Sequence, residues 1–168
     1  MDLIPRGYGH PDVAALVDLV QAEYRQLYGE GDASVTTPAH FSPANGEFLV
    51  GYVAGLPVAM GGWRRLAPAP WLPGRVTAEI KRMYVVPASR GRGLARQLLA
   101  ALESSASAAG VDWMVLETGQ PQPAAISLYR QWGYREVDGR FGRYYGDPEA
   151  VFLGKQFPQS ASPAQRAQ

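Results

Sequence analysis

The fold is decided by residues 79–99, which read EIKRMYVVPASRGRGLARQLL. A β-branched and aromatic strand ends at Val86, a basic glycine turn follows at residues 90–93, and an apolar helix begins at once. In such a turn the backbone N–H groups and the positive end of the helix dipole converge on one point. The stretch therefore predicts an anion-binding turn between a strand and a helix. A plain connection with solvated arginines is the alternative.

Two better-known glycine loops do not fit this turn. A P-loop needs a lysine and a hydroxyl residue directly after its last glycine, whereas Gly93 is followed by Leu94 and Ala95. A dinucleotide fingerprint needs a third small residue where this chain has Arg96. Neither class of nucleotide-binding protein is expected.

The rest of the chain predicts early strands grouped together and later strands alternating with helices. Strands are predicted at 3–6, 47–53, 57–63, 77–86, 113–118, 134–137 and 150–157, and helices at 11–28, 92–109 and 123–132. This β-α-β-β-β-α-β-α-β-β order predicts a single-domain α/β protein with helices covering a mixed sheet. The domain is expected to span residues 1–157, followed by a disordered tail at 158–168.

Composition excludes several function classes. The chain has 168 residues, 46% of them apolar, no cysteine and a formal net charge of +1. Without cysteine there is no disulfide framework and no thiolate nucleophile, and His10 and His40 are too few and too far apart for a zinc site. The near-neutral charge argues against nucleic acid or an anionic membrane as a partner. No stretch approaches the roughly 20 apolar residues of a membrane-spanning helix, so we expect a soluble cytoplasmic protein. From the lack of cysteine and the two distant histidines, we expect no bound metal.

Two blocks of the sequence resemble the GNAT superfamily of acetyl-CoA-dependent N-acetyltransferases. The first is Arg90-x-x-Gly93-x-Ala95 after the strand end, and the second is LET at residues 116–118 with AISLYRQWGY at residues 125–134. The resemblance is strong over Glu79–Arg135 and extends only in layout to the first sixty residues. It implies an acyl-CoA N-acyltransferase fold, with a mixed, mostly antiparallel sheet, splayed central strands and helices on both faces.

The resemblance also implies where acetyl-CoA binds. In the family the amides of the glycine turn hold the pyrophosphate, the strand end pairs with the pantetheine arm, and an N–H near Val85 stabilises the oxyanion. One departure is Gln122, which stands where family members commonly carry asparagine. The implied cofactor-binding residues are Val85, Val86, Arg90, Gly91, Arg92, Gly93, Leu94, Ala95 and Gln122.

Two catalytic residues follow from the same resemblance. Tyr129 falls at the position of the general acid that protonates the departing thiolate, although its helix would also accept it as a core tyrosine. Glu79 lies on the strand of the first block, where many members place a base, but it could be an ordinary exposed glutamate. Because Ser89 lies in no nucleophile elbow, direct transfer from thioester to a primary amine is expected.

The sequence indicates the residues that bind the amine acceptor less clearly than those that bind acetyl-CoA. Aromatic rings beside a carboxylate would suit a cationic or aromatic amine. The candidate acceptor-binding residues, on the first helix and the loop after it, are Tyr24, Tyr28, Asp32 and Phe41, with core packing the simpler role for the tyrosines. Trp63, Trp71 and Trp113 are more simply core or edge residues.

Several alternatives stay open. The acceptor could be a small amine, an amino acid, or a protein N-terminus or lysine, and the late strands could pair across a homodimer. A non-catalytic acyl-CoA sensor on the same fold is the rival function. A nucleic-acid binder that uses the arginine turn is a weaker one, given the net charge of +1.

Overall fold

In the computed structural model, the described residues (1–68, 76–139 and 141–158) form one seven-stranded sheet in the order β1-β2-β3-β4-β5-β7-β6. The strands are β1 (Asp2–Pro5), β2 (Gly46–Val53), β3 (Leu56–Arg65), β4 (Thr77–Val85), β5 (Trp113–Gly119), β6 (Arg135–Glu136) and β7 (Ala150–Gln156). The helices are α1 (Pro11–Tyr28), α2 (Leu94–Ala108) and α3 (Pro123–Gln131). The predicted order of elements is confirmed.

Helix α1 is defined by its two ends and by one apolar stripe. Pro11 occupies the first turn, where a backbone N–H would have no partner within the helix. At the other end Gly29 adopts the left-handed conformation, with φ at 81°, and donates its N–H to the carbonyl of Arg25. The buried stripe consists of Val13, Leu16 and Val20, which join a cluster with Phe48, Val50, Met60 and Tyr84 of the sheet.

Helices cover both faces of the sheet. Successive side chains of β2 point to opposite faces, so Phe48 and Val50 pack in the cluster of α1 whereas Leu49 packs in the cluster of α2. Helix α3 lies beside α2, because Trp132 at its end donates its indole N–H to Glu103 of α2 at 3.0 Å. The buried face of α2 comprises Leu94, Leu98, Leu99, Leu102 and Ala106. The prediction of a mixed, mostly antiparallel sheet with a helix layer on each side is confirmed.

The parallel strands β4 and β5 pair over only three residues. Thr77–Glu79 lies opposite Trp113–Val115, and beyond this point β4 continues along β3 while β5 continues along β7. The sheet therefore opens into a V at the carboxyl ends of these two strands, as the family resemblance implied. Backbone groups that face this gap lack a strand partner and are available to a ligand.

Several element boundaries differ from the prediction by one or two residues, β3 (Leu56–Arg65) among them. Helix α2 begins at Leu94 rather than at residue 92, β6 has only two residues, and the predicted loop at 30–46 contains a 3₁₀ turn, Pro38–Phe41. Residues 69–75, with Trp71, and residues 159–168 lie outside the described ranges, so the predicted domain boundary at residue 157 stays a prediction. Within the described ranges every helix is too short or too polar to span a bilayer.

We expect Leu98→Ala to lower the free energy of unfolding by about 2–5 kcal/mol, because this leucine is fully buried beneath α2. The matched control is Leu19→Ala on α1, where the side chain is 49% exposed and the loss should stay below about 0.5 kcal/mol. Urea denaturation followed by circular dichroism measures both. Equal losses in the two variants would contradict the assignment of the buried face of α2.

Candidate active site

A bulge in β4 shapes one wall of the V. The register with β3 shifts between Met60 and Gly62, so that Arg82 and Met83 both face the single residue Gly61. Arg82 adopts φ of 57°, in the left-handed region that residues other than glycine seldom occupy. Strained backbone of this kind persists where surrounding contacts hold it and is found mostly at functional sites.

The end of β4 presents to the gap backbone groups that no neighbouring strand pairs. Val86 donates its N–H to the carbonyl of Val58 on β3 at 2.9 Å. In a strand, the N–H and C=O of one residue point to one side and those of the next residue point to the other. Because the N–H of Val86 faces β3, the N–H and C=O of Val85 point into the V. This is the arrangement that an extended pantetheine arm would need for strand-like pairing.

The glycine turn (residues 90–93) joins this strand end to α2. Gly91 and Gly93 have φ of 76° and 74°, and an added Cβ would meet nothing within 4 Å at either position. Backbone conformation rather than space therefore selects glycine there. Within the described ranges no backbone carbonyl accepts the amides of Gly91, Arg92 or Gly93, and the first amides of α2 have no partner inside the helix. The turn thus offers converging donors to an anion.

The arginines around the turn have different partners. Arg90 donates from Nε to the Val85 carbonyl at 2.9 Å, and its Nη2 lies 2.6 Å from a carboxylate oxygen of Glu23 on α1. Arg96 donates to the side chain of Gln131 at 3.0 Å. Arg92 is exposed and has no hydrogen bond or ion pair to any of the described residues. Of the three, Arg92 has its guanidinium free to meet a phosphate.

A cavity of about 190 Å³ lies at the carboxyl end of β5. Its walls come from α1 and the loop after it, from β4 and β5, from the start of α3, and from the loop between β6 and β7. Four of the residues proposed from the sequence line it, namely Tyr24, Tyr28, Asp32 and Gln122. Burial raises the pKa of both tyrosines to about 12, so their hydroxyl groups stay protonated and can donate hydrogen bonds.

Phe41 does not border this cavity. It is 8% exposed and packs its ring 4.9 Å from the ring of Phe48, in the cluster beneath α1. The 3₁₀ turn Pro38–Phe41, which the sequence does not predict, places the ring in the core. Phe41 is therefore corrected from an acceptor-binding residue to a core residue.

Asp32 contacts residues from three walls of the cavity. One carboxylate oxygen lies 3.0 Å from Nη1 of Arg82, and the other accepts hydrogen bonds from the Ser34 N–H at 2.7 Å and the Tyr144 hydroxyl at 3.1 Å. Burial alone would raise the pKa of Asp32, but Arg82 and the Ser34 hydrogen bonds hold that pKa below its usual value. The ionised carboxylate is committed to holding the loop after α1 in place.

Glu79 is buried, which corrects the alternative of an exposed glutamate at a strand entry. It is 1% exposed, and its Oε2 accepts from Nε and lies beside Nη2 of Arg64, both at 2.9 Å. Its Oε1 lies 3.1 Å from Lys81 Nζ, although no aligned hydrogen bond joins them. Both carboxylate oxygens thus lie against cations, Oε2 against Arg64 and Oε1 against Lys81. Glu79 is not among the residues that line the cavity.

Glu117 on β5 is the titratable group that the sequence pattern alone does not single out. It lines the cavity, and its Oε2 is buried without a hydrogen-bond partner in the described part of the chain. Burial raises the pKa of Glu117 to about 7, an effect that Lys81 opposes and that Glu79 and Asp32 reinforce. A carboxylate with this pKa can accept a proton near neutral pH. Its position in the LET stretch at residues 116–118, part of the second block that resembles the family, is the sequence signal that could have marked it.

Tyr129 reaches from α3 to the bulge of β4. Its ring is 6% exposed and packs against Tyr134 at 5.6 Å, and its hydroxyl lies 3.5 Å from the Met83 sulfur. Burial raises the pKa of Tyr129 well above its usual range, so the hydroxyl remains a proton donor at neutral and moderately alkaline pH. Tyr129 does not line the cavity but contacts the wall of the V at Met83.

Comparison with known proteins points to one family. The family model described as "Acetyltransferase (GNAT) family" matches residues 13–134. The IAA acetyltransferase of Azospirillum brasilense is 44% identical over 77 residues, which are 46% of this chain and 50% of that protein, so the match spans half the length of that relative. The uncharacterized N-acetyltransferase YjgM of Escherichia coli K12 is 29% identical over 140 residues, 79% of this chain and 80% of that protein.

A solved structure has the same fold. The GNAT family acetyltransferase from Elizabethkingia anophelis, whose crystal structure has acetyl-CoA bound, superposes with a TM-score of 0.63 and covers 93% of this chain and 97% of the other. The two sequences are 19% identical, a level at which the likeness speaks for the fold alone.

We expect Gly93→Glu to weaken the binding of coenzyme A at least ~10-fold, because a carboxylate would stand beside the amides that the phosphates need. Gly110→Glu is the matched control, since Gly110 has a similar φ of 79° and equally open surroundings but lies beyond the other end of α2. Calorimetric titration of both folded variants measures the dissociation constants. Unchanged affinity in Gly93→Glu would contradict the phosphate-binding role of the turn.

Proposed function

Because the chain belongs to the GNAT family of acetyltransferases, we propose that it transfers the acetyl group of acetyl-CoA directly to a primary amine held in the cavity beside the V. One observation carries this proposal. Since β4 and β5 are parallel and splayed, the glycine turn after β4 and the cavity at the end of β5 lie at the same edge of the sheet. A donor bound at the turn and an acceptor bound in the cavity can then meet in the gap.

The turn and the strand end would bind the donor. The amides of residues 91–95 and the free Arg92 guanidinium suit the pyrophosphate, while the gap-facing peptide groups of Val85 suit the amides of the pantetheine arm. When bound, the coenzyme supplies the thioester that the amine attacks. The Val85 N–H is the available donor for negative charge that develops on the carbonyl oxygen.

The charges of the cavity favour a cationic acceptor. Glu30, Asp147 and Glu149 line it and have no ion pair with any lysine or arginine of the described ranges. Among the described residues of the lining, Lys81 is the one basic side chain, and Glu79 Oε1 lies 3.1 Å from its ammonium. A net negative lining attracts a protonated amine and repels an acidic acceptor.

Glu117 is the proposed base and Tyr129 the proposed acid. An ammonium group must lose a proton before it can attack, and Glu117 lines the cavity with a pKa of about 7, whereas Glu79 is held by two cations. We therefore move the role of base from Glu79 to Glu117 and give Glu79 the role of fixing Lys81 and Arg64. Tyr129, protonated and close to the V, would supply the proton to the leaving sulfur.

The function is tested by measuring thiol release from acetyl-CoA in the presence of a diamine, an arylamine, an amino acid and a peptide with a free N-terminus. Acetyl transfer to at least one cationic amine is expected, and mass spectrometry of the product identifies the acetylated nitrogen. Tight binding of acetyl-CoA with no transfer to any amine would favour the non-catalytic acyl-CoA sensor.

We expect Tyr129→Phe to reduce kcat about 10²–10⁴-fold with little change in the affinity for coenzyme A, because only the proton donor is lost. Tyr134→Phe is the matched control. It removes a buried hydroxyl from the ring that packs on Tyr129 and should leave kcat unchanged. Full turnover in Tyr129→Phe would show that Tyr129 is not the general acid.

We expect kcat/KM of the unmodified protein to fall below pH 7, as Glu117 becomes protonated and can no longer accept the amine proton. Glu117→Gln should lower the plateau and abolish this inflection, and high pH should partly restore its rate because the free amine then needs no base. Glu79→Gln should keep the inflection but lower the melting temperature, since it disturbs a buried ion-pair network. If the inflection disappeared in Glu79→Gln and survived in Glu117→Gln, Glu79 would be the base.

A further inference from the structure

Arg90 is fixed by three contacts, none of which lies in the glycine turn. Its Nε donates to the Val85 carbonyl at 2.9 Å, its Nη2 lies 2.6 Å from Oε2 of Glu23, and its guanidinium carbon lies 5.6 Å from the centre of the Tyr84 ring. The partners belong to β4 and to α1. The residue that opens the turn in sequence therefore directs its charge toward the strand and the first helix.

These contacts occupy groups that a bound coenzyme would need. The Val85 carbonyl points into the V and is the acceptor offered by this strand edge to an amide of the pantetheine arm. The Glu23 carboxylate lies against the guanidinium and occupies a donor that a phosphate oxygen could otherwise accept from. Glu23 would therefore compete with the pyrophosphate of the coenzyme for the guanidinium of Arg90.

The Glu23–Arg90 pair is exposed enough to exchange partners. The two side chains are 30% and 46% exposed, and ion pairs at such positions are weak because water and salt screen them. A pyrophosphate offers two negative charges and can accept two parallel hydrogen bonds from a guanidinium, which is the stronger interaction.

We propose that Glu23 is a positioning residue that lowers the affinity for coenzyme A by holding Arg90 on α1, and that pyrophosphate replaces Glu23 as the partner of Arg90 when the coenzyme binds. This proposal rests on the coenzyme site of the proposed function. It adds a residue of α1, outside both sequence blocks, to the determinants of donor affinity.

The test compares Glu23→Gln with the unmodified protein by calorimetric titration with coenzyme A. We expect the dissociation constant to fall about 2–5-fold, because a neutral amide no longer holds the guanidinium by its charge. Arg90→Ala should weaken binding, and adding Glu23→Gln to Arg90→Ala should bring no comparable gain, since the competition then no longer exists. An unchanged or weaker affinity in Glu23→Gln would overturn the proposal.

Two controls separate this effect from general electrostatics. Asp18→Asn removes the charge of another exposed carboxylate of α1 and measures how much the affinity changes through net charge alone. A gain from Glu23→Gln that Asp18→Asn reproduces, or that persists in the Arg90→Ala background, would assign the effect to long-range repulsion and overturn the proposal.

A third measurement identifies the phosphate concerned. Dephospho-coenzyme A keeps the pyrophosphate and lacks the 3′-phosphate, so the gain from Glu23→Gln should persist with it. Loss of the gain would place the 3′-phosphate at Arg90 and contradict the proposal. If the unmodified protein bound neither ligand, the proposed function itself would fail, and this outcome is distinct from a failure of the Glu23 proposal.

Discussion

The separation of β4 from β5 after three paired residues is the constraint on which the rest of the site depends. A continuous ladder would satisfy every peptide group between these strands and leave no edge for a ligand. The bulge at Arg82 and Met83 lies where the strands have parted, and β7 keeps β5 in place from the other side. The gap is thus held open by the pairing of each strand with its outer neighbour.

Opening a sheet near its centre brings charged side chains into a partly buried region, and the structure neutralises most of them locally. Glu79 is held by Arg64 and Lys81, and Asp32 is held by Arg82. Such pairs are costly to desolvate and costly to break, so they hold the walls in one arrangement. Glu117 differs because one of its oxygens has no partner in the described residues, and a carboxylate in that state titrates at a higher pH.

The two ends of the gap carry opposite charge. Within the described residues, the glycine turn presents amides that no backbone carbonyl accepts, the start of α2, and Arg92 without an ion pair. The cavity presents Glu30, Asp147 and Glu149, which form no ion pair with a described lysine or arginine. An anionic donor and a cationic acceptor would each be attracted to its own end. This polarity arises from separate parts of the chain. The donor end comes from one continuous stretch, whereas the three carboxylates of the acceptor end come from two loops, one after α1 and one between β6 and β7.

What the sequence determined by itself is local. The strand, turn and helix of residues 79–99 could be predicted because β-branched residues, glycines and an apolar helical stripe each act on their own neighbourhood. Tyr24, Tyr28 and Asp32 could be proposed as acceptor-binding residues from their places on the first helix and in the loop after it. Gln122 could be proposed only as a cofactor-binding residue, from the family resemblance, and all four line the cavity.

Only the tertiary structure decided the partners. That Phe41 lies in the core, that Glu79 is neutralised and that Glu117 keeps an unpaired oxygen all depend on residues distant in the chain, such as Phe48, Arg64 and Lys81. The contact of Arg90 with Glu23 joins residues 67 positions apart. Burial and long-range pairing set the charge and the pKa of a side chain, and neither can be computed from its sequence neighbours.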